Sequence, residues 1–409
     1  MFRSQVYISL VIGIFCFPLL VSGEEYPIQG SKKIQFFTGG KEQRNPDAGK
    51  ASALKMTGVR RAFYRNGQVR HEMNYKDGRL YGVSKIYYRN GTLKEVVAYI
   101  DSRKDGERKE YYPDGKVLLE ENYILDQLNG VMKKYRSSGV LEFETSYHDN
   151  VKHGVNRVYY KDGTLKEQKT YDDGDVVQLK LFRYDGSPEK EENHDKHFRK
   201  HGVFRVYYEN GKLKNEKNYK DGQQHGDVRN YYQNGHLQAE GKYEYGMKEG
   251  LFGFYYKNGV LQKELHFSRD VMHGVFKDFY PGGELKAEGS YVHNELEGPL
   301  KEYFADGALI KEVIYQYGEL NGESRTYYPG GELENQSRYV YGKQEGQYKS
   351  FYENGRVREA GEYMQGQLNG VIKIYYESGM LHKEEIYKKD ALVRVREYNE
   401  EGELIMESR

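Results

Sequence analysis

The chain has 409 residues in which 63 basic and 62 acidic side chains nearly cancel, so no strong field draws it to nucleic acid or to an anionic membrane. Hydrophobic residues make up only 37%, a polarity that reads as disorder until 42 Tyr, 17 Phe and 47 Gly are set beside it. No Trp, 8 Pro and a single cysteine, Cys16, exclude a disulfide scaffold and a multi-cysteine zinc module.

Residues 1–23 read as a secretory signal: Arg3, an apolar run from Val6 to Val21, then the small residues Ser22 and Gly23. Pro18 interrupts the run shortly before a cut after Gly23. The alternative is an uncleaved membrane anchor, although the run is shorter than the ~20 residues a spanning helix needs. Cys16 stands inside the run and not after small residues at the cut, which argues against a lipid anchor. Cleavage removes it, so the mature chain forms no disulfide. Residues 24–57 contain Phe36-Phe37-Thr38-Gly39-Gly40, an imitation of a strand end and its turn, followed by a polar loop from Lys41 to Ala53. We read this stretch as a degenerate capping hairpin.

From Gly58 a 24-residue period takes over: glycine occupies 13 of the 15 positions from 58 to 394, with Gln178 and Arg394 the exceptions. A second glycine follows nine residues later, at Gly67, Gly91, Gly115 and onward, preceded by Asn, Asp, Ser or Gly. Asn-Gly between strand-like runs signals a hairpin with a type I′ turn. The residue four before this glycine is aromatic in every unit, as Tyr87, Tyr111 and Phe279 show, and a second Tyr usually follows. Leu or Val comes two residues after it and Tyr eight after, as in Leu93 and Tyr99. With Asn-Gly as the two loop residues, Tyr88 is expected opposite Leu93, Leu93 and Tyr99 on one face, and Tyr87 on the other. Such a hairpin buries its apolar face only by stacking on its neighbours. Tyr suits this, supplying a thin apolar ring while its hydroxyl still reaches a polar partner.

The register divides the array into a first block, 58–178, a degenerate repeat and hinge candidate, 179–201, a second block, 202–393, and a half-repeat cap, 394–409. A unit such as GVFRVYYENGKLKNEKNYKDGQQHG, Gly202 to Gly226, resembles the MORN-repeat variant of many bacterial proteins, including YwqK-type antitoxins. The resemblance covers 58 to about 393. It implies an all-β fold, an elongated single-layer antiparallel sheet of about fifteen hairpin repeats. It also implies a role in binding, scaffolding or toxin neutralisation, with no catalytic residues to carry over. The chain departs from the eukaryotic motif in lacking Trp, and from a cytoplasmic antitoxin in carrying an export signal.

The clearest break is Ser187 to His201, where Pro188 replaces Leu and the strand Tyr is missing. His194, His197 and His201, beside Glu191, Glu192 and Asp195, are candidate metal ligands. The bland reading is a solvated loop, and His201 has a repeat explanation because His153, His225 and His273 share its slot. Catalysis is not expected: adjacent acids such as Glu120-Glu121 point to opposite faces of a strand, no Ser/His/Asp order stands out, and no cofactor motif is present. The expected function is a non-enzymatic protein-binding scaffold, exported to the periplasm, the cell envelope or the medium. Its candidate binding face is the file Tyr87, Tyr111, Tyr159, Tyr207, Tyr231, Tyr255, Tyr303, Tyr327 and Tyr375. Lipid or cell-wall glycan binding, or antitoxin-like neutralisation of a partner protein, are the alternatives.

Overall fold

The computed structural model describes residues 56–408. The signal segment and all but the last two residues of the capping segment lie outside the described residues. What is described is a single antiparallel sheet of 36 strands in hairpin repeats, with no helix among these residues. The chain meanders: Gly82–Tyr87 pairs with Leu93–Ile100, which pairs with Arg103–Tyr111, and so on to the last strand, Leu404–Ser408.

Each repeat has two turns of different construction. At the Asn-Gly turn, the Tyr88 amide donates to the Thr92 carbonyl at 2.8 Å and the Gly91 amide to the Tyr88 carbonyl at 3.0 Å. Only Gly91 of the loop has a positive φ, 88°. This is a three-residue loop closed by a left-handed glycine and a bulge, not the expected type I′ turn. The extra residue shifts the pairing, so Tyr87 faces Leu93 and Ile86 faces Glu95. Tyr87 and Leu93 therefore share a face, a correction to the alternation read from sequence. The type I′ geometry occurs at the other turn, where both loop residues are left-handed: Asp221-Gly222 at φ 51° and 88°, or Asp149-Asn150 at 49° and 68°.

Asparagine in the first turn is selected for what its amide reaches. Asn234 accepts from the His236 amide at 3.0 Å and donates to the Lys257 carbonyl, in the next repeat's turn, at 2.7 Å. The second Tyr of the pair forms a parallel staple. Tyr256 Oη donates to the Phe279 carbonyl at 2.8 Å, and Tyr88, Tyr112, Tyr208, Tyr232, Tyr280, Tyr328, Tyr352 and Tyr376 do the same one repeat further on. Where Arg replaces this Tyr, the guanidinium takes over: Arg136 reaches the Tyr159 carbonyl and Arg183 the Tyr207 carbonyl. Phe304 has nothing to donate.

One face of the sheet is the core. It collects the residue two after the repeat glycine, among them Phe204, Phe252, Phe276, Leu300 and Ile372, all buried. The aromatic seventeen after that glycine packs beside it, Phe204 on Tyr219 at 4.8 Å, Phe252 on Phe267 at 5.1 Å and Phe276 on Tyr291 at 5.0 Å between ring centroids. Phe276, Leu300 and Val313 form the centre of this column.

The degenerate repeat does not interrupt the ladder. Pro188–Asn193 pairs with Asp175–Phe182 on one side and with Gly202–Tyr207 on the other. Pro188 is the strand's first residue, a place where a missing N–H is tolerated. Gln178, without the glycine's left-handed backbone, donates from Nε2 to Asn193 Oδ1 at 3.0 Å. The departure is confined to the turn that follows, where Phe198 at φ 59° stands in the left-handed slot and Asp195 accepts from the His197 and Arg199 amides, both at 2.9 Å.

Candidate binding face

The face opposite the core carries a row of charge. Following Cα partners across successive strands gives Lys109, Glu120, Lys133, Glu144 and Arg157. Further on it gives Glu191, Arg205, Glu216, Arg229 and Glu240. The bases stand three residues, and the acids fourteen, after a repeat glycine, except Glu191, which stands thirteen after Gln178. Arg157 Nη1 lies 2.7 Å from Glu144, and Arg205 lies 2.7 Å from Glu216 and 3.2 Å from Glu191. Each such pair contributes roughly 0.2–1 kcal/mol, so the row organises the face more than it stabilises the sheet.

The Tyr file runs along this row, and all nine expected residues are half-buried. Tyr159 donates to Glu144 at 3.1 Å, Tyr255 to Glu240 at 2.8 Å and Tyr303 to Glu288 at 2.9 Å, while Tyr87 is 3.4 Å from Glu72. Burial first, then the adjacent carboxylate, pushes the Tyr255 and Tyr303 phenols up to about 12. They are neutral donors at physiological pH. These four rings are thus fixed at one end by an acid and along the backbone by the staple of the preceding repeat. The structure presents anchored, flat aromatic surface edged by paired charge. The acid and base row was visible in the sequence as a 24-residue recurrence. Its pairing across strands was not, because that depends on the bulge at each Asn-Gly turn.

The histidine candidates are not brought together as ligands. The His194 ring stacks on Phe198 at 4.6 Å and meets Phe204 edge-on at 5.6 Å, and burial lowers its pKa. His197 and His201 are exposed. Asp195 spends its oxygens within the turn: desolvation opposes its ionisation, but hydrogen bonds from Arg199 and His197 outweigh that and hold the carboxyl at about 2. Among the described residues the group whose ligand atoms lie within 4.8 Å of one another is His153, Asp172 and Asp173, all exposed at a turn.

A family model described as the MORN repeat variant matches residues 56–77, 80–101, 104–124, 152–173, 200–221, 224–245, 248–268, 272–293, 320–341, 344–365 and 368–389. The chain belongs to the MORN repeat variant family. It is therefore a repeat scaffold. Every matched unit of this MORN array carries Tyr at the staple position, and the units left unmatched between them carry Arg136, Arg183 and Phe304 there. The family pattern and the inter-repeat hydrogen bond thus single out the same residue. A search of curated proteins gives no significant match. Among solved structures the chain is similar to that titled "Crystal Structure of TcdB2-TccC3", with 11% identity over 83% of this chain and 23% of that one and a TM-score of 0.14. It is also similar to "Crystal Structure of TcdB2-TccC3 without hypervariable C-terminal region", with 10% identity over 86% and 26% and a TM-score of 0.17. The MORN array spans about a quarter of the length of these chains, and at such TM-scores the likeness carries no argument about shape or partners.

Proposed function

We propose that this MORN array is an exported, non-enzymatic scaffold that binds a partner protein through its Tyr and charge face. The observation that carries the reading is the division of labour between faces: one is filled by Phe204, Phe252, Phe276 and Ile372, while the other leaves a periodic row of Tyr, Arg and Glu half exposed. Tyr and Arg are the residue types that anchor protein interfaces, and here both are held in place before any partner arrives, which lowers the entropy cost of binding. Near-zero net charge favours a protein over nucleic acid or an anionic membrane. Export rests on Arg3, the apolar run and Ser22-Gly23.

Chemical cross-linking in the envelope fraction tests the binding reading. The charge reversals Arg205→Glu and Arg229→Glu together are expected to lose the cross-linked partner, and Lys257→Glu, in an exposed turn, to keep it. Equal capture by both variants overturns the assignment of the face. Binding of the wild-type chain to liposomes or glycan arrays, with no protein cross-link, assigns the surface to a lipid or saccharide instead. A mature form beginning at Glu24 supports export, and a cytoplasmic chain still beginning at Met1 refutes it.

A further inference from the structure

We infer that the charged face carries an arginine-accepting notch at Gly253, where the guanidinium of a partner protein's arginine lies between Glu240 and Glu264. This deepens the scaffold reading above and rests on it. Across the sheet the row alternates base with acid or amide from Lys109 to Arg325, and Gly253 is the one rung where the chain contributes no side chain. Its two register partners are Glu240 and Glu264. Opposed positions lie ~5 Å apart, so one empty rung separates the two acids. Neighbouring rungs show what such a gap holds. Arg205 fills the space between Glu191 and Glu216 at 3.2 and 2.7 Å, and Arg229 the space between Glu216 and Glu240 at 3.5 and 3.6 Å.

A second, independent loss falls on the same acid. The Tyr fifteen residues downstream donates its hydroxyl to Glu120, Glu144, Glu240 and Glu288 in turn, from Tyr135, Tyr159, Tyr255 and Tyr303. For Glu264 that residue is Phe279. Half-buried Glu264 consequently has neither ion pair nor hydrogen bond among the described residues, and Lys277, its register partner on the far side, makes no ion pair with it. A carboxylate partly withdrawn from water without a counter-charge is costly, and it favours an incoming cation.

The notch has a floor suited to a planar cation. A Cβ at Gly253 would meet Tyr255 Oη at 3.1 Å and its Cε2 at 3.2 Å, so the ring lies across the glycine, with its hydroxyl committed to Glu240. Leu251, Tyr255, Glu240 and Glu264 line the same cleft. Two nearby cations are engaged, Lys242 with Glu244 at 3.0 Å and Arg229 with Glu216 and Glu240, and Lys277, opposite Glu264 on the far strand, makes no ion pair among the described residues. A guanidinium stacks on an aromatic face while its fork reaches carboxylates, which a compact ammonium or a metal ion does less well. The stem of the arginine runs past Leu251.

Titration calorimetry of the full chain with the capped tripeptide acetyl-Gly-Arg-Gly-amide tests the notch. Saturable binding is expected, weakened about tenfold by Glu264→Gln, the loss of one charge-assisted contact, and absent with the citrulline analogue. Gly253→Arg should fill the rung from within and abolish tripeptide binding. If that variant fails to fold against the Tyr255 ring, Glu264→Gln still decides. Equal binding by wild type and Glu264→Gln overturns the notch, as does Glu264-dependent binding of calcium chloride with none of the arginine tripeptide. A cross-linked protein partner that the face reversals release and Glu264→Gln leaves untouched also refutes the notch, and the scaffold reading then survives it.

Discussion

The Tyr staple can be removed from one repeat and installed in another. Tyr256→Phe deletes only the hydroxyl that reaches the Phe279 carbonyl at 2.8 Å, leaving the ring in place. A neutral hydrogen bond of this kind is worth about 0.5–1.5 kcal/mol net, and the freed carbonyl lies at a strand end near water, so the lower half of that range is expected. Phe304 offers the converse. Its turn closes like the others, with its amide 2.8 Å from the Ala308 carbonyl and Gly307 3.0 Å from its own. Phe304→Tyr should place a new hydroxyl over the Tyr327 carbonyl and stabilise by a similar amount. Tyr256→Ala loses the half-buried ring as well and should cost about 2–3 kcal/mol. Urea unfolding of the full chain followed by circular dichroism measures all three. Midpoints should fall for Tyr256→Phe, fall further for Tyr256→Ala and rise for Phe304→Tyr. If Phe304→Tyr gains nothing while Tyr256→Phe loses nothing, the hydroxyl bridges are incidental and the repeats are joined by ring packing alone.

Ultraviolet titration should find the Tyr255 and Tyr303 phenols ionising near 12 against 10.0 for a free phenol. Their folded pKa is the higher one, so the stability they contribute is whole below pH 10.0 and is lost as pH climbs through 12, and a midpoint that holds steady over that interval would contradict the assignment. Arg108→Gln should cost about 3 kcal/mol in the same urea assay, because it strands Glu121, only 8% exposed, together with Glu95 and Glu110, all of which Arg108 binds on the core face. A loss under 1 kcal/mol would mean water reaches those carboxylates. Brief trypsin treatment with mass spectrometry should cut after Lys196, exposed in the irregular turn, before Lys190, held in a strand paired on both sides. The reverse order would show that the ladder frays at the degenerate repeat.

Within residues 58–408 the repeat was legible from the chain alone because its signals are local. A glycine that must be left-handed, an aromatic pair and an Asn-Gly turn recur every 24 residues, and each answers to its own neighbourhood. That is enough to determine antiparallel hairpins stacked in sequence order. The last two strands of the array are Ala391–Tyr398 and Leu404–Ser408. The reading failed where one residue of register matters. Asn-Gly was taken for a two-residue loop, and the actual three-residue loop adds a bulge that moves Tyr87 onto the face of Leu93. A period of two makes every face assignment hostage to that count.

Only the tertiary structure decided what the tyrosines touch. Tyr255 binds an acid of the preceding repeat and Tyr256 a carbonyl of the following one, contacts separated by 15 and 23 residues that no local pattern encodes. It decided that Arg108 enters the core face with three carboxylates, and that Asp195 is consumed by its own turn and leaves the histidines unassembled. It also decided that Gly253, one glycine among 47, is a missing rung. Composition and period set which elements form, since backbone geometry depends on near neighbours. Which side chains meet across strands depends on register summed over every bulge between them, and that sum exists only once the sheet is closed up, strand against strand.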